Sequence, residues 1–265
     1  MKPNLFKEKL AQGQMPVGHM LVQFNTRGMA KMLEAAGVDF AMIDMEHGSF
    51  NIAEFADMVA WLKATPVTPF VRVAGPDYHL IARVLDVGAQ GVMVPNVRSS
   101  AEARAIVEAA RYPPAGRRGL HFGGESSDFL AVDGVDHVRE ANENITVICM
   151  IESPEGVEDL DGIAGTPGVD ALWVGHWDLT NFMGIPGAFH DPRFLGAVSR
   201  VVNAAHRHGL AAAIQPASTE QLCDFLALGF DAISYGSDFN LYQEALTRGV
   251  AAVRDQAGAR LSVAR

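Results

Sequence analysis

Four segments of this 265-residue chain follow one plan: Gly37-Val-Asp-Phe-Ala-Met-Ile-Asp44, Gly88-Ala-Gln-Gly-Val-Met-Val-Pro95, Gly168-Val-Asp-Ala-Leu-Trp-Val-Gly175 and Gly229-Phe-Asp-Ala-Ile-Ser-Tyr-Gly236. Each opens on a glycine, the residue best suited to end a helix in the left-handed conformation. A polar residue stands two places on, and a short apolar run follows. Such a unit reads as a helix-turn-strand step. Its strand, apolar on both faces, belongs in a parallel sheet.

Counting every apolar run gives eight expected strands, near 17–24, 40–46, 69–74, 91–97, 146–152, 171–177, 211–215 and 232–236. Helical patterns lie between most of them, as from Ala53 to Lys63, Tyr78 to Val87, Ala101 to Arg111 and Pro192 to His208. Eight alternating units in a chain of this length predict an α/β fold, a TIM (β/α)8 barrel, with residues 1–265 forming one catalytic domain. A doubly wound open sheet is the alternative. It is disfavoured because no Gly-x-Gly-x-x-Gly follows the first strand.

The totals narrow the partners. Hydrophobic residues make up 49% of the chain, ample for a continuous core. A net charge of −10 without a long basic run argues against nucleic acid and anionic membrane. Cys149 and Cys223 lie in apolar contexts with no disulfide or zinc spacing, which fits a reducing cytoplasm. The N-terminal stretch is charged and lacks a secretory core, and no segment makes an uninterrupted membrane span.

A TIM barrel places its chemistry at the C-terminal ends of the strands. Those ends carry Glu46 and His47 after the second run, Arg72 at the third, Glu152 at the fifth and Asp178 just past the sixth. A carboxylate at the mouth of a buried strand is costly to leave unpaired. Singly, each of these residues reads as a solvated rim group or half of an ion pair. Together they read as a site. Glu152 and Asp178 on neighbouring strands would seat a hard divalent cation such as Mg²⁺ or Mn²⁺, with water and substrate completing its shell.

Other signals are weaker. His206 and His208 point to different faces of a helix and are expected at the surface. All five lysines (Lys2, Lys7, Lys9, Lys31 and Lys63) fall in the first quarter of the chain, none at a strand end, which disfavours a Schiff-base aldolase. The segment from Tyr112 to Ser127 is long for a connector. It is either a surface loop or a functional one whose His121 reaches the pocket. Gly236-Ser-Asp238 reads as an N-cap more readily than as an anion seat.

Asp44-Met-Glu-His47, Leu85-Asp-Val-Gly-Ala-Gln90, Arg111-Tyr-Pro-Pro-Ala-Gly116, Ile151-Glu152 and Gly175-His-Trp-Asp-Leu179, taken in order, span most of the chain. They resemble the HpcH/HpaI family of metal-dependent pyruvate aldolases, which includes 4-hydroxy-2-oxoheptanedioate aldolase and 2-dehydro-3-deoxyglucarate aldolase. The resemblance implies a barrel of the phosphoenolpyruvate/pyruvate type with an exchanged C-terminal helix, assembled as a homohexamer. It implies Glu152 and Asp178 as ligands of Mg²⁺, Mn²⁺ or Co²⁺, with no organic cofactor. It makes His47 the base, Asp86 the acid paired with it across a subunit boundary, Arg72 the group that steadies the enolate oxygen, and Asp44 a neighbour of the metal waters. The implied reaction is reversible cleavage of a 4-hydroxy-2-oxo acid to an aldehyde and pyruvate, or a close analogue such as hydroxypyruvate, through a metal-bound enolate.

The same resemblance assigns substrate binding to Gly175, His176, Trp177 and Arg72, because backbone N–H groups of that turn hold the substrate carboxylate. The chain departs from the family pattern at three places. Met45 stands where the family has Gly, Met150 where it has Gln, and His176-Trp177 where it has Pro-Ala. The last change is expected to narrow the pocket, add an aromatic wall or redirect the donor. One rival reading is a CoA-ester lyase of the malyl-CoA or citryl-CoA type. It would need a basic patch, of which Arg117 and Arg118 are the only trace. The other is a ligand-binding barrel without catalysis, against which the intact set of His47, Arg72, Glu152 and Asp178 argues.

Overall fold

The computed structural model describes residues 1–263, in which eight parallel strands close on themselves in sequence order. They are β1 (Val17–Leu21), β2 (Phe40–Asp44), β3 (Thr68–Arg72), β4 (Gly91–Val94), β5 (Thr146–Ile151), β6 (Ala171–Val174), β7 (Ala211–Ile214) and β8 (Ala232–Ser237). β8 pairs with β1, so the sheet has no open edge and the doubly wound alternative falls away. Every expected run forms a strand, and most stop short of the expected C-terminal limit, where the chain turns into the loops of the mouth.

The polar residue of the repeat works at the foot of the barrel. Asp39, just before β2, accepts a hydrogen bond from the backbone N–H of Val17 at 2.8 Å. Asp170, before β6, does the same for Val147 at 2.7 Å, and Asp231, before β8, for Ala212 at 2.8 Å. Each carboxylate thus satisfies an N–H near the start of the preceding strand. Gln90, the fourth member, instead donates to the carbonyl of Lys2 at 2.7 Å. The glycines that open the repeats, Gly37, Gly88, Gly168 and Gly229, all have φ between +77° and +100°, where a side chain would be strained.

Helix Leu5–Ala11 closes this end. Its cap residue Asn4 reaches across the foot, donating to the carbonyls of Gln90 and Asn144 and to the Thr146 hydroxyl. Phe6 packs against Phe40 and Phe70, the three ring centroids 5.3 Å apart in each pairing. Gly18 and Gly91 leave room for those rings, since a Cβ at either would collide with Phe40 or Phe70.

Strand alternation then decides what reaches the mouth. Phe40 and Met42, Phe70, Ile148 and Met150, and Ala171 and Trp173 fill the barrel interior. Ile43, Val71, Cys149, Ile151 and Val174 face the surrounding helices. One further step along each inward row arrives at Asp44, Arg72, Glu152 and Gly175. The C-terminal helix Asp238–Val263 keeps Tyr242, Leu246 and Val253 exposed. Beside it, an apolar groove of about 480 Å³ lies over β1 and β8, lined by Leu33, Leu222, Leu226 and Ile233. Among the described residues no helix is long and apolar enough to cross a membrane.

Candidate active site

The mouth holds a cavity of about 450 Å³ whose walls include Asp44, His47, Arg72, Gly175, Trp177 and Asp178. Arg72 is clamped. Its Nε donates to Asp44 Oδ1 at 2.9 Å and its Nη2 to Asp44 Oδ2 at 2.6 Å, while Glu46 Oε2 lies 3.2 Å from Nε. Burial by itself would favour the neutral guanidine. The Asp44 hydrogen bonds and the charges of Asp44, Glu46 and Glu152 reverse that and raise the Arg72 pKa. Asp44 therefore serves as the residue that aims a permanent cation into the cavity.

Glu152 is the opposite case. It is buried, and its Oε1 accepts from the Asn96 backbone N–H at 2.7 Å. Its Oε2 is buried without a hydrogen-bond partner. Burial, then the charges of Asp178 and Glu46, push the Glu152 carboxyl up to about 7 against the pull of Asn96 and Arg72. Glu46 is also raised, chiefly by burial, with Arg72 and His47 opposing. Gly175 has no alternative here, because a Cβ would strike the same Glu152 carboxylate. Acidic groups thus outnumber the single guanidinium in a partly desolvated space, a field that favours a cation.

A hard cation fits this donor set. Among the described residues no three His, Cys, Asp or Glu side chains group closely enough to hold a metal by themselves. Glu152 and Asp178 would hold it as a pair, leaving the remaining positions to water and substrate, as Mg²⁺-type sites do.

His47 stands at the rim, its side chain 64% exposed and its Nε2 3.8 Å from Glu46 Oε2. Asp86 does not join it within one chain. It sits at the C-terminal end of helix Tyr78–Asp86, where its Oδ1 accepts from Arg118 at 2.7 Å. His176 and Trp177, adjacent in sequence, part company. His176 is buried against Phe189 and Phe225, with centroids 5.1 and 5.6 Å away, and burial pushes its pKa down to about 4. It still lines the cavity, with its Nε2 buried and without a hydrogen-bond partner. Trp177 is 57% exposed and forms the aromatic wall. The backbone N–H groups of His176, Trp177 and Asp178 open helix His176–Phe182 and are the donors that a helix start leaves without an intrahelical acceptor.

Two readings of the sequence are changed or refined, and a third holds. His121 does not line the cavity. Its segment is held against helix Tyr78–Asp86 by the Tyr78 hydroxyl, which accepts from Gly119 N–H, and by Arg118, buried on Asp86 and over the Tyr112 ring at 4.5 Å. Asp238 is neither an anion seat nor a simple cap. Its carboxylate accepts from the N–H groups of Val22, Gln23, Phe24 and Phe239 and so ties the loop after β1 to the last helix. His206 and His208 lie at the surface beside Asp231 and Asp161.

Sequence reasoning missed Asn96, whose backbone holds Glu152. The available signal was an asparagine directly after Pro95 at a strand end, a residue type that tolerates the left-handed region where Asn96 sits at φ +53°.

Comparison with known proteins places this arrangement. The family model described as HpcH/HpaI aldolase/citrate lyase matches residues 19–245. A 5-keto-4-deoxy-D-glucarate aldolase of Shigella dysenteriae serotype 1 is 33% identical over 243 residues, covering 92% of this chain and 94% of the relative. The crystal structure of an HpcH/HpaI aldolase from Desulfitobacterium hafniense DCB-2 superposes with a TM-score of 0.90 at 31% identity, covering 94% of this chain and 96% of that one. That of the citrate synthase SbnG gives 0.86 at 29% identity, covering 95% and 98%. A closed barrel, an acid-rich mouth and likeness along almost the whole length agree: this chain belongs to the HpcH/HpaI aldolase/citrate lyase family and is a lyase.

Proposed function

We propose that this protein is a divalent-metal-dependent aldolase that cleaves a 4-hydroxy-2-oxo acid, reversibly, to pyruvate or a close analogue and an aldehyde. The observation that carries the reading is the buried, unpartnered Glu152 Oε2 beside Asp178, at the same mouth as a fixed guanidinium. Glu152 and Asp178 would hold the cation, which when bound supplies Lewis acidity toward a 2-oxo acid. Arg72, fixed by Asp44, stabilises negative charge developing on the keto oxygen. The N–H groups at the start of helix His176–Phe182 face the substrate carboxylate. His47 takes the proton from the C4 hydroxyl as the C3–C4 bond breaks, and returns a proton in the synthetic direction.

Further parts of the reading concern assembly. The apolar groove over β1 and β8 and the exposed apolar residues of helix Asp238–Val263 support an exchange of that helix between copies in a homohexamer. Asp86 keeps its Oδ2 without a partner among the described residues, which supports a pairing with His47 across a subunit boundary. The free thiols Cys149 and Cys223 suit a cytoplasmic enzyme.

The test is deuterium exchange at C3 of pyruvate, followed by NMR with Mn²⁺ or Mg²⁺ and again with EDTA. Metal-dependent exchange is expected. No exchange with metal bound would rule out the pyruvate-type donor, and no metal binding would rule out the cation site.

A further inference from the structure

We propose that the side of the mouth built by β7, β8 and the loop after β1 is the aldehyde subsite, and that it selects an uncharged, hydroxylated aldehyde over one carrying a carboxylate. The inference rests on the aldolase reading above. Donor handling there draws on the ends of β2, β3, β5 and β6, through Arg72, Glu152, Asp178 and the turn at Gly175. On the β7, β8 and β1-loop side the cavity wall includes Gln23, Gln215, Ala217, Ser237, Phe239 and Asn240. None of these six side chains ionises.

The charged groups nearby do not supply a partner for a second carboxylate. Asp238 is committed to four backbone N–H groups. Arg72 lies across the cavity on β3, with both of its bonded nitrogens on Asp44. The acids at this mouth, Glu46, Glu152 and Asp178, offer no positive charge. A carboxylate moved from water to this wall would lose hydration, and the side chains of the wall itself would offer it no counter-charge.

A hydroxyl would find partners. Ser237 is 3% exposed, lines the cavity and has an Oγ without a hydrogen-bond partner. Gln215 donates its Nε2 to the Gly236 carbonyl at 3.2 Å, which orients the amide and leaves its Oε1 as an acceptor. A buried hydroxyl at the end of β8 and an oriented amide just past β7 suit the alternating donors and acceptors of a small sugar-like aldehyde.

The test compares D-glyceraldehyde with succinic semialdehyde as acceptors for pyruvate, using the Mn²⁺-loaded enzyme, with pyruvate C3 exchange measured in parallel. The expected kcat/KM ratio favours glyceraldehyde by about ten-fold or more. Equal or greater efficiency with succinic semialdehyde, with exchange intact, overturns this inference alone, whereas absence of exchange overturns the aldolase reading beneath it. Gln215→Arg supplies the missing counter-charge and is expected to lower the ratio by about ten-fold; an unchanged ratio in the folded variant overturns the placement of the subsite. Should that variant fail to fold, Ser237→Ala replaces it. The KM for glyceraldehyde should then rise several-fold while the KM for pyruvate holds, and an unchanged glyceraldehyde KM counts against the proposal.

Discussion

The carboxylates at the two ends of this barrel live in opposite circumstances. At the foot, Asp39, Asp170 and Asp231 each accept a backbone N–H and also face a basic or imidazole group, Lys9, Lys7 with Arg111, and His206 respectively. At the mouth, Glu152 has one oxygen without any partner and is flanked by further acids. The foot residues recur with the repeat that builds the fold, and the mouth residues occur once each. Among these carboxylates, recurrence with satisfied oxygens marks architecture, and a unique, under-satisfied acid flanked by other acids marks chemistry.

The largest effects should come from the mouth. Glu152→Ala or Asp178→Ala is expected to lose bound metal and to lower turnover by about 10²–10³-fold or more. The melting temperature of chelator-treated Glu152→Ala should fall by only a few degrees, since the one satisfied bond removed is that from the Asn96 N–H to Glu152 Oε1. Wild-type turnover by Glu152→Ala in chelator-treated buffer would break the contrast between the two ends. His47→Ala separates proton transfer from metal binding. Calorimetric titration should find the metal bound as before, while cleavage falls by about 10²–10⁴-fold.

The foot should answer in stability instead. Arg111 is buried, with its Nη2 2.6 Å from Asp170 and its Nη1 donating to the carbonyls of Asn142 and Ile145. Arg111→Ala leaves that carboxylate and those carbonyls without their buried cation, and is expected to cost about 3–5 kcal/mol in denaturant unfolding. Activity per folded molecule should be retained. A variant that unfolds no more readily than wild type but loses catalysis would show that the two ends are not separable in this way.

How much of this was legible in the sequence follows from the same division. The fold was readable because its signal repeats: four Gly-x-polar-strand units and eight apolar runs leave few architectures open. The identities of the mouth residues were readable because strand alternation carries the inward rows of Phe70, or of Ile148 and Met150, one step on to Arg72 and Glu152. What the sequence hid was pairing. Nothing local says that Asp44 spends both oxygens on Arg72, or that Asp238 ties down a loop more than 200 residues earlier, because these contacts form only when the barrel closes. His176 and Trp177 were indistinguishable as neighbours. Phe189 packs against both rings, but Phe225 pairs with His176 alone, and His176 is buried while Trp177 stays exposed.

The smallest effect tests the wall between the two ends. Cys149 lies on the outward face of β5, fully buried, and burial pushes its thiol up to about 12, whereas Cys223 is exposed on helix Thr219–Ala227. The thiolate is the nucleophile, so raising the pH from 7 to 9 should leave Cys149 silent toward a disulfide reagent while Cys223 reacts. A native-state titration should therefore count one thiol per chain, and two after denaturation. Cys149 can react only through opening of the barrel, whose frequency follows the stability of the fold. Arg111→Ala should accelerate its labelling and Glu152→Ala should not. Equal acceleration by both would mean that the acids of the mouth are as much a part of the architecture as those of the foot.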